Sequence, residues 1–355
     1  MELTSVLARR NDRLSAIIQM LNESGAGIVI LVDDERHVLG TITDGDVRRA
    51  ILHDFDMSTT VEEVLLHKDV KASQIPVTAQ VGTDEATILA MMAENRLHQI
   101  PLVDDEGRVV DLVLLDDLVL ESEAELGAVL MAGGFGKRLM PMTASTPKPM
   151  LEIGGRPILE RIIGQLRDSG IGRVSVTTHY RHDQIADHFG DGENFGVDID
   201  YVREDNPLGT AGALSMIERP DTPVLVMNSD ILTGLNFRML GKFHSENKAV
   251  MTVAVRPYEH TVPYGVVETE GIVVKGVREK PKSRWMINAG IYILAPDAFN
   301  YIPHGEYFDM PSLMDRLIEN GLNVVCFPLY EYWRDIGRPQ DFEDAEKDVR
   351  NILGE

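Results

Sequence analysis

The stretch LMAGGFGKRLMPMTASTPKPM, residues 130–150, decides how the larger part of this chain is read. An apolar strand ending at Ala132 runs into Gly133, Gly134 and Gly136, and the cations Lys137 and Arg138 follow at once. Glycine lets a backbone approach a phosphate closely and turn its N–H groups toward it. Two common phosphate loops are excluded. A Walker A loop aligned on Gly136-Lys137 needs Gly at 131 and Ser or Thr at 138, where Met131 and Arg138 stand. The dinucleotide fingerprint fails as well, because Gly134-x-Gly136 leads to Leu139 in place of Gly or Ala.

Downstream, strand and helix patterns alternate. PILERIIGQLRDSG reads as a helix closed by glycine, RVSVTTH as a strand, RHDQIADHF as a helix and VDIDYV as a strand. A helix after GTAGAL, the strand PVLVMNSD, a helix near FRMLGKFHSEN and the strand AVMTVAV continue the pattern. Such alternation predicts an α/β fold, a doubly wound, mostly parallel sheet with helices on both faces. Ligands of these sheets sit at the carboxyl ends of the strands. Ala132 and Asn228-Ser229-Asp230 fall at such ends.

The first third has a different organisation. GIVILVDDERHVLGTITDGDV (27–47) aligns without a gap on HQIPLVDDEGRVVDLVLLDDL (98–118). In both copies an apolar strand ends in Val-Asp-Asp-Glu, turns, and re-enters a second strand closing on an Asp. A helical pattern precedes each copy: Leu14, Ile17, Ile18 and Leu21 in one, Ile88, Leu89, Met91 and Met92 in the other. A repeat of this kind predicts an α+β, pseudo-symmetric pair in which each copy buries what the other exposes. The acidic run Glu121–Glu125 reads as a linker, so residues 1–122 and 126–355 are taken as two domains.

Composition narrows the partners. The formal net charge is −23, and 57 acidic side chains against 34 basic ones repel nucleic acid and anionic membranes at long range. Any phosphate site must therefore be made locally, by a few placed cations. No run of about 18 apolar residues predicts a membrane span, and MELTSVLARRND lacks the apolar core of a signal peptide, which points to the cytoplasm. The single cysteine, Cys326, is expected as a buried strand residue. His179, His182 and His188 lack the spacing of a metal motif and are expected on solvated or helix faces.

The longer pattern is specific. Gly133-Gly134-Phe135-Gly136-Lys137-Arg138-Leu139-Met140-Pro141, with Thr143 and Pro147-Lys148-Pro149-Met150, resembles the signature of sugar-1-phosphate nucleotidyltransferases. Leu208–Leu214, Asn228-Ser229-Asp230, Glu279-Lys280-Pro281, Asn288–Tyr292 and Trp333–Gly337 resemble the further motifs of that family, in order. The resemblance implies attack of a sugar 1-phosphate on the α-phosphorus of a nucleoside triphosphate. Arg138, Lys148 and Asp230 would then be catalytic, with Asp230 and Asp335 holding Mg²⁺. It implies nucleotide contacts at Ala132, Gly133, Gly134, Gly136, Gly209, Thr210 and Ala211, and sugar-phosphate contacts at Gly265, Glu279, Lys280 and Asn288. Without the resemblance, each Asp reads as a strand-end turn residue, Glu279 as an ion-pair partner of Lys280, and Asn288 as a turn residue. Glu306–Pro311 is expected to begin a helix at the far end of the domain, with Asp309 near its start.

Gly40–Val47 resembles the CBS family, in which a Thr and an Asp three residues on hold a ribose; here these are Thr43 and Asp46. In the second copy Leu114 replaces the Thr while Asp117 remains, so at most one intact nucleotide site is expected. Asp46 also reads as the cap of a helix starting at Val47, and the pair as a homo-oligomer-forming module without a ligand. The Gly-Thr-Ala-Gly segment lacks the Gln that pyrimidine-using relatives place there. With Phe308-Asp309-Met310-Pro311 it looks more like the guanylyltransferase branch, which includes mannose-1-phosphate guanylyltransferases. A CBS pair ahead of such a domain resembles the guanylyltransferases acting on glucosamine 1-phosphate in legionaminic acid synthesis. Two other classes compete: a glycosyltransferase, which would carry Asp-x-Asp where this chain has Asn-Ser-Asp, and a non-catalytic nucleotide sensor, which would lack a phosphate cation or a metal carboxylate.

Overall fold

A computed structural model describes residues 2–53, 55–66, 76–95, 97–118 and 126–352. The chain divides into two compact units, Met1–Ser122 and Glu123–Glu355. The proposed linker Glu121–Glu125 lies outside the described residues. Among those described, no helix is long and apolar enough to cross a membrane.

In the first unit the repeat is a repeat of structure. Leu7–Ala8, Ile28–Val32 and Val38–Thr43 form one three-stranded sheet; Ala79–Gln80, Gln99–Val103 and Val109–Leu114 form another with the same strand order. In each, the first strand pairs parallel with the second and the second antiparallel with the third. Helix Leu14–Ser24 buries Leu14, Ile17, Ile18 and Leu21 and ends on Gly25 in the left-handed region, where glycine carries no Cβ penalty. In the second copy Ile88 and Met92 are buried, whereas Leu89 and Met91 are half-buried.

Helix Asp44–Leu52 begins three residues earlier than Val47. Its cap is Thr43, not Asp46, and the two form a reciprocal capping box: Thr43 Oγ1 accepts from Asp46 N, and Asp46 Oδ2 accepts from Thr43 N at 2.9 Å. The helix Leu115–Leu118 follows Leu114 in the second copy, and the side chain of Asp117 lies outside the described residues.

The second unit is built on a seven-stranded sheet. In chain order its strands are β1 (Gly127–Met131), β2 (Arg173–Thr178), β3 (Asp198–Arg203), β4 (Val224–Asn228), β5 (Met251–Thr261), β6 (Lys282–Leu294) and β7 (Val324–Pro328). Across the sheet they run β3-β2-β1-β4-β6-β5-β7, all parallel except β6. Strand alternation sends Ala128, Leu130, Leu225 and Met227 into one apolar layer, and Val129, Val224 and Val226 into the other. Helices Ile158–Asp168 and Phe237–Glu246 cover the first face and Met310–Glu319 the second. The sheet is doubly wound because both faces of these strands are apolar.

β6 is absent from the sequence-level pattern. The chain enters it from β5 through the exposed hairpin Val266–Glu270/Val273–Arg278, so it needs no helical crossover and runs antiparallel. Cys326 lies on the edge strand β7 and is exposed, which corrects its expected burial.

His244, on the helix Phe237–Glu246, is buried against β5, with Nδ1 2.8 Å from Thr252 Oγ1. Burial presses its pKa from 6.5 to about 4. The unfolded chain therefore takes up a proton that the folded one refuses as pH falls below 6.5, and stability declines until about pH 4, where the folded form protonates too. About 2 kcal/mol is expected to be lost by pH 5 relative to pH 7. Urea midpoints at the two pH values check this, and in His244→Gln the difference should shrink by that amount.

Candidate active site

The sheet order reverses at β1: the chain leaves it for β2 on one side and reaches β4 on the other. The crevice beyond the carboxyl ends of β1 and β4 is where open α/β sheets bind ligands. Ser229 ties those ends together, its Oγ donating to Met131 O at 2.7 Å.

From β1 the chain enters the glycine loop. Ala132 N donates to Thr177 O, which extends the β1–β2 pairing by one residue before the loop. Among the described residues, the N–H groups of Gly133, Gly134 and Gly136 have no protein acceptor. Gly136 sits at φ 62°, and a Cβ there would meet Thr143 Cγ2 at 2.8 Å. Thr143, itself buried, donates from Oγ1 to Gly136 O and holds the turn. The loop is thus a braced backbone nest with free donors, suited to an anion.

Two carboxylates and two cations converge below it. Lys148 Nζ donates to Asp230 Oδ2 and lies 3.9 Å from Asp335 Oδ1. Asp335 reaches this point through a short antiparallel pairing, Ile231–Thr233 with Trp333–Asp335, in which Ile231 faces Asp335, and Ile336 N donates to Asp230 O. Arg138 completes the group: a Cβ on Gly337 would lie 3.4 Å from both Arg138 Nη1 and Asp335 Oδ2. Burial raises the pKa of Asp335, and Asp230 adds to the rise, while Lys148 and Arg138 oppose it. Asp230 Oδ1 and Asp335 Oδ1 are both buried with no hydrogen-bond partner. Orphaned buried carboxylate oxygens are costly, and two of them side by side fit a hard divalent cation that keeps water and phosphate in its other positions.

The Gly209–Gly212 helix is docked backbone to backbone on the segment before Met310. Ala211 N and Gly212 N donate to Phe308 O, and Phe308 N donates to Leu208 O. Asp309 Oδ1 accepts from Thr210 N at 3.1 Å. The segment Glu306–Asp309 is therefore not at the domain's far end; it supports Gly209, Thr210 and Ala211 directly, and Asp309 makes no side-chain cap to its own helix.

Glu204 is missed by motif matching. It is 6% exposed at the end of β3, its pKa is raised by burial, and its Oε2 accepts from Leu208 N at 2.9 Å. Its Oε1 comes within 2.6 Å of the place a Cβ on Gly133 would occupy. A carboxylate at a strand end just before Pro207-Leu208-Gly209-Thr210 was the available signal.

The expected acceptor residues are dispersed. Glu279 and Lys280 are exposed and make no ion pair with each other among the described residues, so the pairing expected in the absence of a sugar role is not seen. Glu279 Oε2 would lie 3.0 Å from a Cβ on Gly265, which brings these two together. Asn288 lies inside β6 and not in a turn. Its Oδ1 accepts from Gly290 N and its Nδ2 donates to Tyr292 OH. The histidines have local duties: His179 Nδ1 contacts Glu204 O, His182 contacts Thr178 Oγ1 and His188 contacts Glu160.

A family model described as nucleotidyl transferase matches residues 127–352, and one described as CBS domain matches 4–53 and 68–123. A mannose-1-phosphate guanylyltransferase of Mycobacterium tuberculosis is 32% identical over 237 residues, 64% of this chain and 66% of that protein. A UTP–glucose-1-phosphate uridylyltransferase of Synechocystis is 33% identical over 248 residues, 64% of this chain and 63% of that protein. The chain spans slightly less than two thirds of the length of these relatives. Among solved structures, HddC from Yersinia pseudotuberculosis in complex with GMP-PN is 26% identical with a TM-score of 0.50, covering 63% of this chain and 99% of that one.

Proposed function

Because this chain belongs to the nucleotidyl transferase family, we propose that it transfers the nucleotidyl group of GTP to a sugar 1-phosphate, releasing pyrophosphate and an NDP-sugar. The observation that carries this is the pair of buried, unpartnered oxygens on Asp230 and Asp335, clamped by Lys148 beside a loop of free N–H donors. Attack by an acceptor phosphate oxygen forms one bond at the α-phosphorus as the bond to the bridging oxygen breaks, and the electron pair leaves with pyrophosphate. No protein nucleophile is required; the work is to bring anions together and hold growing charge. Lys148 and Arg138 supply fixed positive charge, and the N–H groups of Gly133, Gly134 and Gly136 hold the phosphate chain. Asp230 and Asp335 would hold Mg²⁺, which when bound neutralises charge on the reacting phosphates.

Glu204 supports guanine. That base presents N1–H and an amino group along one edge, two donors that a carboxylate accepts, whereas uracil and thymine offer a single donor between acceptors. The carboxylate lies at the glycine loop, where its Oε1 comes close to Gly133. The structural neighbour solved with GMP-PN and the guanylyltransferase relative point the same way. For the acceptor, the CBS fusion favours glucosamine 1-phosphate, while the name of the Mycobacterium relative favours mannose 1-phosphate as a second reading. Gly265, Glu279 and Lys280 would meet the sugar phosphate, with Asn288 ordering the strand beside them. Thr43 and Asp46 would hold a regulatory nucleotide, exchanging their mutual hydrogen bonds for a ribose, in a homo-oligomer built on the CBS pair.

Pyrophosphate release, crossing five nucleoside triphosphates with a panel of hexose and hexosamine 1-phosphates, tests this. GTP with one sugar is expected to dominate, and Glu204→Gln should lower kcat/KM for GTP by about 10–100-fold with little change in sugar KM. Turnover that prefers another base, and is indifferent to Glu204, would remove the guanine assignment. Repeating the assay with added adenine and guanine nucleotides tests regulation, which unchanged rates would exclude.

A further inference from the structure

We propose that Tyr180 and Arg181 are positioning residues, which hold the segment between Gly136 and Lys148 in the shape that nucleotidyl transfer requires. The inference rests on the reading above, because that segment joins the phosphate loop to the lysine that lies against both Asp230 and Asp335.

The segment depends on outside support. Between the short turns Lys137–Leu139 and Lys148–Met150 no strand or helix is formed, and Ala144 and Ser145 are exposed. Its own amides close local turns, Met142 N donating to Leu139 O and Ala144 N to Pro141 O. Among the described residues, the carbonyls of Thr143, Ala144 and Ser145 take no backbone donor. Side chains from the turn after β2 and from the helix His182–Phe189 answer all three. Tyr180 OH lies 3.3 Å from Thr143 O and 3.2 Å from Ala144 O, which share its one proton. Arg181 donates from Nη2 to Ala144 O at 2.8 Å and from Nε to Tyr180 OH at 2.8 Å. Gln184 Nε2 donates to Ser145 O at 3.0 Å. By filling the acceptor side of the phenol, Arg181 turns the hydroxyl proton toward the segment.

The same turn reaches the glycine loop. Thr143, whose carbonyl Tyr180 holds, is the residue that braces Gly136. The Tyr180 ring packs on Phe135 of the loop, with centroids 5.6 Å apart. His179 meets Phe135 edge-on at 5.3 Å, and its Nδ1 lies 2.7 Å from Glu204 O. Three consecutive side chains thus tie the phosphate loop, the approach to Lys148 and the carboxylate assigned to guanine to one turn.

Local stability does not account for Arg181. It stands at the N-cap of the helix His182–Phe189, where Ser, Thr, Asp or Asn is favoured, and its side chain makes no cap. Its backbone lies at φ 53° and ψ 43°, a left-handed conformation that costs an L residue free energy. Both disadvantages are offset by the guanidinium, whose contacts are with the segment and with Tyr180. Strain of this kind persists where the surroundings hold it in place.

The test pairs Arg181→Asn with Tyr180→Phe in the full chain. Asparagine suits both the cap and the left-handed backbone, and phenylalanine keeps the ring against Phe135. Both variants should therefore melt within about 2 °C of the wild type, or above it. Each should nevertheless lower kcat/KM for GTP about 10-fold and leave sugar 1-phosphate KM within about twofold. The double variant should lose little more than either alone, because the two side chains act as one unit. Arg181→Lys, which keeps one donor, should recover part of the loss. Activity that falls only in step with melting temperature would make these residues merely structural and overturn the inference, as would wild-type kcat/KM in both variants. Hydrogen exchange of the substrate-free chain judges the tether independently of turnover. The amides of Met142 and Ala144 should exchange about 10-fold faster in both variants, and unchanged protection overturns the inference. A wild type that transfers nothing, with exchange responding as expected, loses the transferase reading and keeps the tether.

Discussion

Asp230→Asn is expected to turn over about 10³-fold more slowly than the wild type, a loss of about 4 kcal/mol of transition-state stabilisation. The substitution keeps the shape of the side chain and removes one of two adjacent negative charges. Its unpartnered Oδ1 and that of Asp335 are buried together, and neither is needed for folding contacts. The amide would still reach Lys148 as an acceptor through one oxygen, so the fold should be retained while the cation loses a charged ligand. Divalent-cation binding, followed calorimetrically in the absence of substrates, should weaken by at least about 10-fold. Normal turnover with unchanged cation affinity would remove Asp230 from the centre of the mechanism.

Gly209→Ala should destabilise the second unit by about 2–4 kcal/mol. Gly209 has φ 79°, where an L side chain costs about 1–2 kcal/mol. Its Cβ would also sit 2.7 Å from Asp309 Oδ1 and 2.8 Å from Phe308 O. That carbonyl cannot retreat cheaply, since Ala211 N and Gly212 N both donate to it. Thermal unfolding should shift down by about 5–10 °C for a unit of this size, and the nucleotide KM should rise because Thr210 and Ala211 move with the turn. Gly134→Ala is the control: a Cβ there meets nothing within 4 Å, so its melting temperature should match the wild type. Equal losses in the two variants would show that close approach to Phe308 is not the cause.

Much of the architecture is written in local pattern. Val-Leu-Val-Met at β4 and Ala-Val-Leu-Met at β1 are apolar on both faces, which only a strand covered on both sides tolerates. The internal repeat is legible for a similar reason, because two identical spacings of strand, turn and strand bury their side chains in the same way. Gly136 and Gly209 announce turns that other residues cannot make.

The arrangement of charge is another matter. Lys148, Asp230 and Asp335 are expected individually from motifs, but nothing local says that one ammonium bridges both carboxylates or that two oxygens are left without donors. Asn288 reads as a ligand residue, yet its amide is held by Gly290 and Tyr292, contacts that exist only once β6 is in place. Glu204 carries no motif, and both it and Asp309 acquire their contacts from neighbours distant in the chain. By itself, then, the sequence determined the strands, helices, turns, repeat and motif residues, since these follow from the period of apolar side chains and the conformational range of glycine over a few residues. The tertiary structure alone decided which charges are desolvated, paired or left open, because burial and Coulomb interaction depend on distance in space, and the chain brings those groups together only when the sheet has formed.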